Sequence, residues 1–422
     1  MKTNDIRISL PASKSMSNRW LMINHLLHGM GQSDNHSRGG GFRITKPSTS
    51  GDTRLLRRLL TQIESDSSSH VYYCNNAGSV ARFLMPLLAI TPGYHILTGD
   101  DRLCQRPMAP LIEALRQMGL RVDCTEKEGF LPVQIQGGVP TRRTVSVDPL
   151  LSSQFVSSLL LIAPRMPDGI SLTMTQRPTS RPYIEMTCEI LRQAGIEVRR
   201  SSNGRTYYVQ HMTSRPKSAA VAIERDWSSA SYFYTMALLR PDLRIRLLGL
   251  QLDSCQGDSA TDTFFRLLGV TSTEVRSPYR STGRSITLQG GGDCPRSIQF
   301  NCIDCPDLVP TFAVAAAAAK VKATLKGVSN IALKESDRMQ AISTELRRMG
   351  CKVNCTDEEM VIIPSDLRPM EPVQTYNDHR IAMAFAPLKL RYPDIVIENP
   401  EVVDKSFPEF WDQFDLVLKN KQ

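Results

Sequence analysis

The chain has 422 residues, 41% hydrophobic and 22% charged, a balance that suits a folded globular protein of two or three domains and excludes extended disorder. Lys and Arg outnumber Asp and Glu by 51 to 42, giving a net charge of +9, so anionic partners are expected. Dispersed arginines and the lack of a recognisable nucleic-acid module favour small phosphorylated or carboxylated molecules over nucleic acid.

Along the chain, two kinds of helix alternate. The N-terminus opens polar and then alternates, without the apolar segment of a secretory signal, so cytoplasmic residence is expected. Lys14-Ser-Met-Ser-Asn-Arg19 reads as the start of a helix that sets two cations around a hydroxyl, where they oppose the helix dipole. Charge placed against local preference points to a ligand. An amphipathic helix begins near Asp52, after the loop-forming Gly39 to Gly41. Asn76-Ala-Gly-Ser79 heads a second buried helix, followed by a strand at Ile96 to Thr98. Pro110 to Gly119 then reads as an amphipathic helix closed by a glycine cap, leading into a strand at Leu120 to Asp123.

The alternation continues through four more sets. Ser152-Ser153-Gln154 heads a buried helix, a strand follows at Ser171 to Met174, and an amphipathic helix starts at Arg181. Ser228 to Ser231, the strand Arg244 to Leu247 and a helix near Asp258 form the next set. Cys302 and Cys305 are the one cysteine pair with metal-ligand spacing, and no second pair accompanies them, so no metal is expected. Pro306-Asp307 then opens an alanine-rich helix, where Asp307 is a candidate cap. Its apolar run is far short of the roughly 18 residues that cross a bilayer. The strand Ala323 to Lys326, a helix near Ser336, the cluster Asn377-Asp-His-Arg380 and a helix near Pro408 complete the series.

Six α/β units follow from this interleaving, with a βαβαββ pattern and three units to each of two domains. An even division puts one domain at 13–225 and the other at 1–12 plus 226–422, the first strand returning to the second half. Each polar cluster occupies the N-terminus of a buried helix, and helix N-termini favour bound phosphate and carboxylate. An anion-binding cleft between the domains is therefore expected.

These clusters, in this order, resemble the 5-enolpyruvylshikimate-3-phosphate synthases from Leu10 to about Phe414. The matching stretches are LPASKSMSNR, NNAGSVAR, LTGDDRL with QRPM, SSQFVSSLL, SRPYIEM, SSASYF, PDLVPT, LKESDR, YNDHRIAMAFA and DKSFPEF. The resemblance implies a two-domain inside-out α/β barrel that transfers the enolpyruvyl group of phosphoenolpyruvate to the 5-hydroxyl of shikimate 3-phosphate, in aromatic amino-acid biosynthesis. By the same resemblance, shikimate 3-phosphate is held by Ser15, Arg19, Ser152, Ser153, Gln154, Ser180, Tyr183, Asp307, Asn330 and Lys334. Phosphoenolpyruvate is held by Lys14, Asn76, Gly78, Arg106, Gln154, Arg338, Arg380 and Lys405.

The family's chemistry places Asp307, Glu335, Lys14, His379 and Lys405 as catalytic groups, with Asp307 accepting the hydroxyl proton. No cofactor is implied, and a monomer is expected. Gly78 and Phe83 fall where glyphosate binding is governed in the family, which implies inhibition. Departures are a short segment between Lys14 and Asn76, Ser79 in place of threonine, Arg181 where lysine is common, and Trp227 before SSASYF. Competing readings are an enolpyruvyl transferase acting on a UDP-sugar, an RNA-binding or RNA-end-modifying protein, and a binding-only descendant.

Overall fold

Two features of the sequence decide the architecture: strands whose residues alternate in and out, and helices that are apolar all round. In the computed structural model, which describes residues 5–28, 42–65, 70–213, 219–276 and 283–420, Ile6–Ser9 and Thr144–Val147 bury every second side chain. Every residue of the helix Val309–Ala318 is buried, as a helix without a polar face must be. The Gly39 to Gly41 loop lies outside the described residues.

The chain divides into two compact units, the first comprising Lys14–Pro47 and Asp52–Ile223, the second Met1–Ser13, Ser48–Gly51 and Glu224–Gln422. The chain passes between units after Ser13 and after Ile223, and the short return at Ser48–Gly51 carries no sequence signal.

Within the first unit, one sheet orders its strands as Val71–Tyr73, Gly93–Thr98, Val133–Gly137, Arg121–Cys124. A second orders them as Thr144–Val147, Ile170–Met174, Thr206–Val209, Val198–Arg200. In both, the first two strands are parallel and the other two antiparallel to their neighbours. A parallel pair needs a crossover, and the helices Gly78–Ala89 and Ser153–Ile162 supply it. Arg43–Thr45 and Ala220–Ala222 form a separate parallel pair.

The second unit repeats the plan in Ser297–Asn301, Lys322–Lys326, Glu359–Ile363 and Lys352–Cys355. Its other sheet starts with Ile6–Ser9, which pairs in parallel with Arg244–Leu248 although the chain between them builds the first unit. Where the chain returns, Ser13 N–H donates to the Glu224 carbonyl at 2.8 Å and Asp226 N–H to the Pro11 carbonyl at 2.9 Å. The helix Val309–Ala318 packs on both Trp227–Leu239 and His379–Phe385, and Phe312 stacks on Phe264 with ring centroids 3.8 Å apart. Among the described residues no helix is long and apolar enough to cross a membrane.

The distant first strand is anchored mainly by burial. Ile8, opposite Leu247, has 0% exposure. Ile8→Ala is expected to cost about 2–5 kcal/mol in urea unfolding, from lost transfer energy plus the cavity left behind; a change under about 0.5 kcal/mol would show that this strand is not part of the core.

Candidate active site

In the first unit the candidate residues are arranged around buried arginines. Arg19, in the helix Lys14–His28, donates from Nε to Thr187 Oγ1 at 2.7 Å, and from Nη2 to Ser157 Oγ at 3.2 Å and the Tyr183 carbonyl at 3.0 Å. Nη1 reaches the Ser15 carbonyl at 2.9 Å. These acceptors are neutral hydroxyls and carbonyls, and they fix the direction of the guanidinium. Lys14 Nζ meets Asp52 Oδ2 at 2.9 Å. Ser152 caps the helix Ser153–Ile162 by accepting from Gln154 N–H at 3.2 Å, and the Gln154 side chain is held by Arg82 Nη1 at 2.9 Å. Ser180 is a buried, left-handed residue with φ of 56° at the head of Arg181–Gln193. A non-glycine residue in that region persists only where its surroundings impose it, a pattern common at ligand sites.

Gly78 carries a different constraint. A β-carbon built there lies 2.8 Å from Arg106 Cζ, so only glycine lets this buried guanidinium pack against the start of the helix Gly78–Ala89. Asn76 sits just ahead of that start.

In the second unit, side chains from three helix starts close on one another. Arg338, 1% exposed, reaches Asp378 through Nε at 2.8 Å, Asp307 through Nη1 at 2.9 Å and Glu335 through Nη2 at 2.7 Å. Arg380 Nη2 meets Asp307 Oδ2 at 2.9 Å, Lys334 Nζ meets Asp307 Oδ1 at 3.3 Å, and Lys405 Nζ meets Glu335 Oε1 at 3.7 Å. Burial opposes ionisation of Asp307, but Arg380, Lys334 and Arg338 outweigh it and hold the carboxyl well below its usual range. Burial likewise opposes charge on Asp378, and Arg338 overrides it. His379 is 1% exposed, its Nδ1 3.8 Å from Asp378 Oδ1. Asn330 is buried at the head of the turn Ile331–Leu333.

Among the described residues no group of three or more His, Cys, Asp or Glu is placed to hold a metal ion. The arrangement sets paired donors on arginines among carboxylates, groups chemically suited to anion recognition and proton transfer.

Comparison with known proteins decides the family. The family model described as EPSP synthase (3-phosphoshikimate 1-carboxyvinyltransferase) matches residues 3–414. This chain belongs to the EPSP synthase family. A relative named 3-phosphoshikimate 1-carboxyvinyltransferase in Bacteroides fragilis is 36% identical over 413 residues, covering 96% of this chain and 93% of that protein. One of the same name from Escherichia coli is 31% identical over 427 residues, covering 97% and 95%. Among solved structures, the fold is shared with EPSP synthase from Acinetobacter baumannii, at a TM-score of 0.75 and 22% identity over 97% of this chain and 94% of that one. The enolpyruvyl transferase NikO from Streptomyces tendae matches with a TM-score of 0.67 and 14% identity over the same shares, 97% and 94%.

Some local roles, and several residues that support the candidate site, escaped sequence reasoning. Asp307 does not cap its helix; its carboxylate is taken by Arg338, Arg380 and Lys334. Nor does the Asn76 cluster cap with a side chain, since the N-cap is Ala77. The Ser228 to Ser231 helix is capped by Asp226, which accepts from Ser229 N–H at 2.8 Å. Asp52, Arg82, Ser157 and Thr187, which hold Lys14, Gln154 and Arg19, lie far from them in sequence. Of these, only the acidic first turn at Asp52 gave a local signal.

Replacing Arg338 tests the electrostatic core of this cluster. Arg338→Met leaves Asp378, Asp307 and Glu335 facing one another, and urea unfolding near neutral pH is expected to show a loss of about 3–5 kcal/mol. A carboxylate with a depressed folded pKa contributes stability above its unfolded value and loses it as pH falls toward the folded one. The deficit should therefore shrink below the ordinary aspartate value of 3.8.

Proposed function

We infer that this chain transfers the enolpyruvyl group of phosphoenolpyruvate to the 5-hydroxyl of shikimate 3-phosphate, releasing phosphate, as a step toward aromatic amino acids. The observation that carries the reading is the set of arginines and lysines around Asp307 and Glu335, in a chain of the EPSP synthase family. The finer architecture goes with it: an inside-out α/β barrel of six units in two domains, acting as a cytoplasmic monomer.

Shikimate 3-phosphate is assigned to Ser15, Arg19, Ser152, Ser153, Gln154, Ser180 and Tyr183 of the first unit, and to Asp307, Asn330 and Lys334 of the second. The converging polar helix starts, with Arg19 fixed by neutral acceptors, support the first group. Phosphoenolpyruvate is assigned to Lys14, Asn76, Gly78, Arg106 and Gln154 in the first unit and to Arg338, Arg380 and Lys405 in the second. Arginine suits both carboxylate and phosphate through paired donors.

In the addition step the 5-hydroxyl oxygen bonds to C2 of phosphoenolpyruvate, its proton passes to Asp307, and C3 gains a proton. In the elimination step C3 loses a proton, the C2–O bond to phosphate breaks, and the double bond re-forms. Glu335, with Lys405 beside it, and Lys14 manage protons at C3 and on the leaving phosphate; His379 is part of the same catalytic set. Asp307 is ionised at neutral pH and has the lone pair a base requires, but its cations make it a weak one. Anionic substrate competes for Arg338 and Arg380, loosens their hold and raises its basicity on binding.

Purified protein mixed with shikimate 3-phosphate and phosphoenolpyruvate in the presence of a chelator is expected to release phosphate and form a product of enolpyruvyl-shikimate mass. Asp307→Asn should lower kcat by about 10²–10⁴-fold while calorimetry still detects shikimate 3-phosphate binding. Wild-type protein that binds this substrate without turnover would make the chain a binding-only descendant.

A second variant tests the phosphoenolpyruvate assignment. Gly78→Ala displaces Arg106, so KM for phosphoenolpyruvate should rise about tenfold or more and glyphosate inhibition should weaken. If both stay unchanged, Arg106 does not bind this substrate.

A further inference from the structure

One more buried carboxylate joins the charged cluster of the second unit. Asp258 lies in the turn Gly257–Ser259 ahead of the helix Ala260–Leu267 and is 1% exposed. Ser228 Oγ donates to Asp258 Oδ2, and Arg380 Nη2 donates to Ser228 Oγ at 3.4 Å while also holding Asp307 Oδ2 at 2.9 Å. A serine hydroxyl has a single proton. With that proton given to Asp258, the oxygen turns its lone pairs to Arg380. The carboxylate thus sets the direction of the hydroxyl, and the hydroxyl and Asp307 together grip one nitrogen of the guanidinium.

We propose that Asp258 is a positioning residue for Arg380, acting through the Ser228 hydroxyl to aim the guanidinium at the anionic groups of phosphoenolpyruvate. This rests on the assignment of Arg380 to that substrate. Charged and titratable groups facing Asp258 include Arg380, Asp307, Asp226 and the Cys305 thiol. Burial pushes the Asp258 carboxyl up to about 6, against the pull of Arg380 and with Asp307 and Asp226 adding to the rise. Asp258 is therefore ionised and oriented for this task above that pH. Below it, a protonated carboxyl no longer demands the Ser228 proton, and Arg380 loses its guide.

The test measures KM for each substrate between about pH 5 and 8 in wild type, Asp258→Asn, Ser228→Ala and Arg380→Lys. Substrate ionisation is common to all four and cancels in ratios to wild type. Asp258→Asn is expected to raise KM for phosphoenolpyruvate about tenfold at the alkaline end, with the ratio shrinking as the pH drops below about 6. KM for shikimate 3-phosphate should stay within about twofold. Ser228→Ala should show the same substrate bias, and it carries the test if Asp258→Asn does not fold. A ratio flat with pH, or equal rises in both KM values, overturns the proposal. If Arg380→Lys raises KM for phosphoenolpyruvate and the Asp258 and Ser228 variants do not, the positioning role alone fails. If Arg380→Lys leaves it unchanged, the assignment beneath the proposal fails too.

Discussion

The guanidinium of Arg338 is the interaction on which the rest of the second unit's site depends. A buried arginine retains its charge, and removing it from water is costly unless carboxylates and hydrogen-bond acceptors surround it. Asp378, Glu335 and Asp307 provide these, and each comes from a different stretch of chain or turn. Asp378 also accepts from Ser336 Oγ at 3.0 Å and from Arg380 N–H at 2.9 Å, so one carboxylate fixes the entry to two helices. Burial of one cation therefore forces the convergence of elements that are remote in sequence.

Such a cluster is costly as a structural device, since apolar side chains would fill the same volume at less desolvation cost. Its value lies in preorganisation. On the proposed function, carboxylates occupy positions around Arg338, Arg380 and Lys334 that suit anionic substrate groups, and they hold the cations in place before any substrate arrives. The first unit solves the same problem differently. Arg19 is directed by hydroxyls and carbonyls, which orient its donors. Gly78 contributes by lacking a side chain, which brings Arg106 against a helix start.

Much of this was legible in the chain itself. Strands expected at Ile96 to Thr98, Ser171 to Met174, Arg244 to Leu247 and Ala323 to Lys326 lie within observed strands at Gly93–Thr98, Ile170–Met174, Arg244–Leu248 and Lys322–Lys326. The polar starts of the buried helices were equally visible. Both are local signals: period-two alternation, all-round apolarity and punctuating polar clusters depend on neighbours within a few residues. The family's motifs are short continuous stretches for the same reason.

What the sequence could not decide was which polar group meets which. Asp307 at a helix start is a cap by local rules, yet three cations from other elements claim it. The cap of the helix Trp227–Leu239 fell to Asp226, upstream of the serines that marked it, leaving Ser228 to face Asp258 and Arg380. The sequence by itself determined the elements, their order and the residue types heading each helix, because these follow from short-range propensity and hydrophobic period. Tertiary structure alone decided the pairings and the resulting shifts in proton affinity, because desolvation and Coulomb attraction depend on distances and burial that exist only once remote segments have packed together.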